Sequence, residues 1–244
     1  MALHISVPRL CGQLLVGGFE GESVPPSFAA ALRAGRRGGA ILFKRNLPSA
    51  EHARALCAEL VDAAPADLPA WIGVDEEGGR VSRLASPVLR LPPMRRLAAL
   101  GDIDLVNRCG TLLGRQLAAL GFNLDFAPVL DVDTNPANPV IGDRAFGATP
   151  EDVSLGALAF WQGLSRGVLG CGKHFPGHGD TEVDSHVGLP VIAHDRARLQ
   201  AVELVPFVAA ARANLDAFMT AHVVVTAIDG SVPATLSRAI CTDL

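Results

Sequence analysis

Residues 39–80 read GAILFKRNLPSAEHARALCAELVDAAPADLPAWIGVDEEGGR, and this stretch sets the architecture. An apolar run from Gly39 to Phe43 is closed by Lys44, Arg45 and Asn46. Ser49 then stands where an N-cap is needed. Beyond it Ala53, Leu56, Cys57, Leu60 and Val61 recur at three- and four-residue spacing, which places them on one apolar helix face. A second apolar run, Ala70 to Val74, passes directly into Asp75, Glu76, Glu77, Gly78, Gly79 and Arg80. Strand, helix and strand in series predict two parallel strands joined by a crossover helix.

The unit repeats in both directions. Upstream, Gln13 to Gly18 reads as a strand and Ser27 to Arg36 as a helix. Downstream, Val106, Cys109, Leu113, Leu117 and Leu120 form a helical stripe stopped by Gly121, and a strand follows from Asn123 to Val132. Thr149 and Pro150 open the next helix as N-cap and first residue, with Asp152 in its first turn and Val153, Ala157, Phe160 and Leu164 as its buried face. A strand from Val168 to Lys173, a helix from about Arg196 to Ala213 and a strand from Ala217 to Val225 complete the series. Six strands with their polar and glycine-rich residues at the C-terminal ends predict an α/β chain. The arrangement is that of a (β/α)8 barrel with about six of its eight units, one domain over residues 1–244. A doubly wound open sheet is the competing architecture, but Gly17, Gly18 and Gly21 do not match the GxGxxG fingerprint that it carries after its first strand.

Composition narrows the function. The chain has 244 residues, 49% hydrophobic and 19% charged, which supports a sizeable core. A net charge of -4 leaves no basic stripe for phosphates and argues against nucleic acid as a partner. Five cysteines, odd in number and without a CxxC pair, indicate neither a disulfide framework nor a cysteine zinc site. The opening MALHISVPRL lacks the basic and apolar regions of a leader, and no uncharged apolar run reaches bilayer length, so a cytoplasmic location without membrane attachment is expected. With Tyr absent, no mechanism can use a tyrosine nucleophile or acid.

The chemistry concentrates between Gly172 and Gly188, where Lys173, His174, His178, Asp180, Glu182, Asp184 and His186 crowd one segment. Pro176 and Gly177 forbid a regular helix there, so the segment is a loop. A zinc or non-haem iron site would need three of His174, His178, Asp180, Asp184, His186 and His222 to converge, and the HExxH spacing of such sites is absent. The other option is acid/base work. Asp184 and His186, two residues apart on an extended loop, can point the same way, so the carboxylate can orient the imidazole and raise its pKa.

The segment KHFPGHGDTEVDSH, residues 173–186, resembles the signature of the glycoside hydrolase family 3 β-N-acetylglucosaminidases. GVDEEGGRVSRL at 73–84, LDFAPVLDVD at 124–133, NPVIGDRAFG at 138–147 and MTAHVVV at 219–225 are similar to that family's other blocks, in the family's order. The resemblance implies a barrel enzyme that removes terminal β-linked N-acetylglucosamine with retention, typically from cell-wall muropeptides during peptidoglycan recycling. It needs no metal or other cofactor. It implies Asp184 and His186 as a catalytic dyad with His186 as acid/base, Asp75 as a carboxylate gripping sugar hydroxyls, and Arg83, Arg144, Lys173 and His174 as holders of the hydroxyls and the N-acetyl arm.

Plainer roles are open for some of these groups. Arg83 can pair with Glu76 or Glu77, Lys173 can be a surface charge closing a strand, His222 is expected to support the rim, and Asp131 to order the NPANP loop at 135–139. The family's nucleophilic aspartate would follow a seventh strand in a block like GVVxSDD, and nothing through Leu244 matches it. The 244-residue span alone is therefore expected to be poorly soluble and not to turn over N-acetylglucosaminides. The resemblance leaves a family 3 β-glucosidase, an N-acetylglucosaminide phosphorylase and a non-catalytic sugar-binding protein as alternatives.

Overall fold

The structure is a computed structural model describing residues 5–182 and 188–244. A short helix α1 (Val7–Gln13) precedes strand β1 (Val16–Gly17), so the chain enters the sheet three residues later than the apolar run from Gln13 predicts. Then follow α2 (Pro26–Arg33), β2 (Gly39–Leu42), α3 (Ala50–Ala63) and β3 (Trp71–Val74). Ser49 caps α3 as read from the sequence, its hydroxyl accepting the His52 N–H at 3.1 Å. After the short α4 (Met94–Ala98) comes the long α5 (Ile103–Leu120), which ends at Gly121 with φ 97°, a conformation that a side chain would strain.

The second half contains β4 (Leu124–Asp125), α6 (Pro150–Leu164), β5 (Leu169–Phe175), β6 (Val191–Ile192), α7 (Arg196–Ala201), α8 (Val205–Arg212), β7 (Ala217–Thr220), β8 (Val224–Val225) and the one-turn α9 (Arg238–Cys241). Strands β1, β2, β3, β4, β5 and β7 form one six-stranded sheet in that order, all pairs parallel. The sheet curls into part of a (β/α)8 barrel with helices outside. Apolar residues of both layers, among them Leu32, Leu42, Ile72, Leu117, Phe160 and Leu164, form one buried cluster. Among the described residues, no helix is long and apolar enough to cross a membrane.

Three expected elements come out shorter. The strand read over residues 123–132 is regular only at Leu124–Asp125, because Pro128 has no N–H for the ladder; beyond it Val129 makes a single bridge to Lys173. The helix read over residues 196–213 is two helices, the second starting where Pro206 fits a first turn. The strand read over residues 217–225 leaves the main sheet after Thr220, and Val224–Val225 pairs instead with Val191–Ile192 in a separate two-stranded sheet.

Candidate active site

The C-terminal ends of β3, β5 and β7 and the loop after β4 open on a cavity of about 630 Å³, within the usual range of small-molecule sites. Lys173 is the buried lysine of its lining. The side chain is 2% exposed and its ammonium lies 2.8 Å from Asp75 Oδ1 and 2.5 Å from Glu77 Oε1. Arg144 reaches the same Glu77 carboxylate with two donors, Nε to Oε2 at 2.9 Å and Nη2 to Oε1 at 2.8 Å, in the planar fork that a guanidinium matches to a carboxylate. Burial pushes the Glu77 carboxyl up, but the Lys173 and Arg144 charges outweigh that and hold it at about 2. Burial in turn favours a neutral Lys173, and the Glu77 and Asp75 charges override it, leaving the ammonium more firmly protonated than an ordinary lysine.

Strand alternation explains which acid does what in the run Asp75, Glu76, Glu77. Period two sends Asp75 and Glu77 to the cavity and Glu76 the other way. Glu76 is buried behind the loop that follows, accepting the Ser82 hydroxyl and the N–H groups of Arg83 at 2.7 Å and Leu84 at 3.1 Å. Its own N–H donates to Asp125 Oδ1 at 2.9 Å, which ties the end of β3 to the end of β4. Asp125 is fully buried, and this burial drives its carboxyl well above the usual range.

A second carboxylate organises the loop after β5. Asp131, fully buried, accepts the His178 N–H at 2.7 Å and the His174 N–H at 3.3 Å, and its Oδ2 lies 2.7 Å from His174 Nδ1. Burial raises its carboxyl, but the two histidines outweigh this and the net shift is downward. With Nδ1 held by a carboxylate, a neutral His174 carries its proton there and leaves Nε2 for a ligand. His178 packs edge-on to His174, with Nδ1 2.6 Å from Thr181 Oγ1, and burial lowers its pKa, keeping the ring neutral. The loop lies so close to the segment after β4 that a Cβ on Gly179 would sit 1.9 Å from the Val132 carbonyl oxygen.

Asp131 therefore does not order the NPANP loop, as its sequence position suggested. Asn138 does, its Oδ1 accepting the Val140 and Ile141 N–H groups at 2.9 and 2.7 Å while its Nδ2 donates to the His178 carbonyl at 2.8 Å. The loop so ordered carries Arg144 and the Val140 carbonyl, to which Arg144 Nη1 donates at 3.1 Å.

Asp75, Arg83, Arg144, Lys173 and His174 all line this one cavity. Lys173 is no surface charge. Arg83 pairs with neither Glu76 nor Glu77 through its guanidinium; it is the backbone of Arg83 that Glu76 holds, and among the described residues the Arg83 Nε is buried without an acceptor. His222, expected to support the rim, has its Nδ1 2.8 Å from the Thr235 hydroxyl and lines the cavity beside Met219, Thr220 and Ala221. Asp184 and His186 lie outside the described residues. Sequence reading missed Glu77, Arg80 and His178 as cavity residues; the signal for Glu77 was its spacing of two from Asp75. Among the described residues no three His, Cys, Asp or Glu side chains converge as metal ligands.

This arrangement offers buried cations and carboxylates side by side, so a hydroxyl entering the cavity finds both acceptors and donors, as polyol recognition requires. Comparison with known proteins points the same way. A "Beta-hexosaminidase" of Chromobacterium violaceum is 44% identical over 214 residues, covering 85% of this chain and 59% of the relative. One of Pseudomonas aeruginosa is 43% identical over 209 residues, covering 85% of this chain and 61% of the relative, so the chain spans about three fifths of the curated relatives it matches. A glycoside hydrolase family 3 β-N-acetylglucosaminidase from Paenibacillus sp. superposes with a TM-score of 0.93 at 40% identity, over 97% of this chain and 46% of that one. NagZ from Neisseria gonorrhoeae, solved in complex with N-trifluoroacetyl-D-glucosamine, superposes with a TM-score of 0.88 at 36% identity, over 94% of this chain and 69% of that one. The glycosyl hydrolase family 3 N terminal domain matches residues 12–244, and the chain belongs to that family.

Proposed function

We propose that the protein is a retaining exo-β-N-acetylglucosaminidase that takes terminal N-acetylglucosamine from cell-wall muropeptides in the cytoplasm. The observation that carries this reading is the buried set Lys173, Asp75, Glu77 and Arg144 at the inner end of the cavity, in a chain whose relatives are named β-hexosaminidases. Support for the N-acetyl group comes from the Neisseria gonorrhoeae neighbour, which was solved with an N-acylated glucosamine.

In this reading Asp75 accepts sugar hydroxyls through the oxygen that Lys173 leaves free, and Lys173 donates its remaining proton to a neighbouring hydroxyl. His174, fixed by Asp131, and Arg144, fixed by Glu77, hold the hydroxyls and the N-acetyl carbonyl. Arg83 closes the outer side. His186 protonates the departing glycosidic oxygen, and Asp184 orients its ring and raises its basicity; the same imidazole then takes a proton from the attacking water. Retention also requires a carboxylate on the opposite face of the sugar, which the family resemblance places on an aspartate and to which no residue here is assigned. Fixing every donor before the sugar arrives is what gives selectivity, because a glucoside would leave the acetamido partners buried and unpaired.

The test is hydrolysis of 4-nitrophenyl β-N-acetylglucosaminide by this chain joined to the family's nucleophile block, followed by proton NMR. The proposal requires release of nitrophenol with the β-anomer of the sugar appearing first. Absence of turnover, first appearance of the α-anomer, or equal turnover of the matching glucoside would refute it.

A further inference from the structure

A second cavity of about 470 Å³ lies beside the first and shares Arg83 with it. Its walls come from the turn after β2, with Lys44, and from the loop after β3, with Ser82, Arg83, Ser86 and Arg90. Three of its lining residues are cationic and none is acidic. Glu76 sits behind the loop with both oxygens engaged by Ser82, Arg83 and Leu84. Lys44 is one of only two lysines in the chain, the other being Lys173 in the first cavity. Arg45, its neighbour, is turned to Glu20 at 3.2 Å and does not line the cavity. Among the described residues Arg90 has only a long contact, 3.5 Å, to the Gly79 carbonyl. Like charges converging on one concave surface repel one another, and the concavity concentrates their field on whatever enters.

We propose that this second cavity is an anion subsite, taking a carboxylate or phosphate carried by the same ligand whose sugar ring fills the first cavity. The inference rests on the N-acetylglucosamine reading of the first cavity and adds the chemical class of what is attached to that sugar. Arg83 is the link. It lines both cavities, so a ligand that spans them passes its side chain, while Lys44 and Arg90 supply the further charge. The serine hydroxyl of Ser86 is a further donor on the same wall.

The anionic group has two attachment points, the aglycone on O1 or a substituent on the ring, and two pairs of probes separate them. Calorimetric binding is measured for phenyl 1-thio-β-N-acetylglucosaminide against its 4-carboxyphenyl analogue, and for N-acetylglucosamine against N-acetylglucosamine 6-phosphate. The proposal predicts that at low ionic strength one anionic probe binds roughly five- to tenfold more tightly than its neutral parent, a gain that added salt removes. The pair that shows the gain identifies the attachment point. The double variant Lys44→Met, Arg90→Met should erase the gain and leave the neutral parents' affinities unchanged, which also shows that the variant is folded. If both anionic probes bind no better than their parents, or the gain survives in the double variant, the anion subsite is refuted. If the neutral parents themselves do not bind, the N-acetylglucosamine reading fails, and the subsite falls with it.

Discussion

Glu77→Gln removes one negative charge at nearly constant volume from the point where Lys173 and Arg144 meet. Three charged contacts end on that carboxylate, at 2.5, 2.8 and 2.9 Å, and all three side chains are largely buried. After the change one amide oxygen can still accept from Lys173 or Arg144, Lys173 also retains Asp75 and Arg144 the Val140 carbonyl, while the new amide NH2 faces a cation. Breaking one partner of a buried ionic group costs about 3–5 kcal/mol. In a chain of 244 residues this corresponds to a fall in Tm of about 6–20 °C. The sign of the pH dependence follows from the direction of the shift. Glu77 moves from 4.5 down to about 2, so folding gains about 3 kcal/mol from its ionised form above pH 4.5 and loses it progressively as pH falls toward 2. Glutamine has no such dependence. Thermal unfolding of both proteins at one scan rate should therefore show the full Tm gap at pH 7 and a gap that narrows steadily below pH 4.5. A gap under about 2 °C at pH 7, or one of constant size down to pH 3, would show that Glu77 is not the hub of this cluster.

Two further substitutions separate carboxyls that look alike in sequence. Asp125→Asn should cost less than about 1 kcal/mol in urea unfolding at pH 7, because burial already disfavours the charged form of that acid and its Oδ1 still accepts the Glu76 N–H. Asp131→Asn should cost about 2–4 kcal/mol and weaken sugar binding, since its charge holds both His174 and His178; equal costs for the two variants would contradict the opposite directions in which their surroundings push the two carboxyls. In the proposed reaction His186→Ala should slow aryl glycosides with poor leaving groups far more than activated dinitrophenyl ones, and equal slowing would count against an acid role.

The α/β order was legible because the apolar runs end in polar or glycine-rich residues and helices with their own caps follow, as at Ser49 and Thr149. Where single residues interrupt a run, periodicity misleads. Pro128 cuts the strand after Asp125, and the main sheet ends at Thr220 because Val224 and Val225 find a different partner in Val191 and Ile192. That second pairing joins segments more than thirty residues apart, which no local pattern encodes. In the site, Asp75, Arg144, Lys173 and His174 were reached through the resemblance, and the cavity gathers them. Glu77 and Asp131 were misjudged for one physical reason. Each acts by fixing another side chain, and which partner a buried carboxylate meets is decided by the packing of strand ends, here β3 against β5 and the Asp131 segment against the loop after β5.

The measurement that bears most directly on the central claim is calorimetric titration of the protein and its Lys173→Met variant with N-acetylglucosamine and with glucose. The account predicts that the protein binds N-acetylglucosamine at least roughly a hundredfold more tightly than glucose, because unpaired buried donors cost about 1–3 kcal/mol each, and that Lys173→Met abolishes the binding. Comparable affinities for the two sugars, or undiminished N-acetylglucosamine binding in the variant, would contradict it.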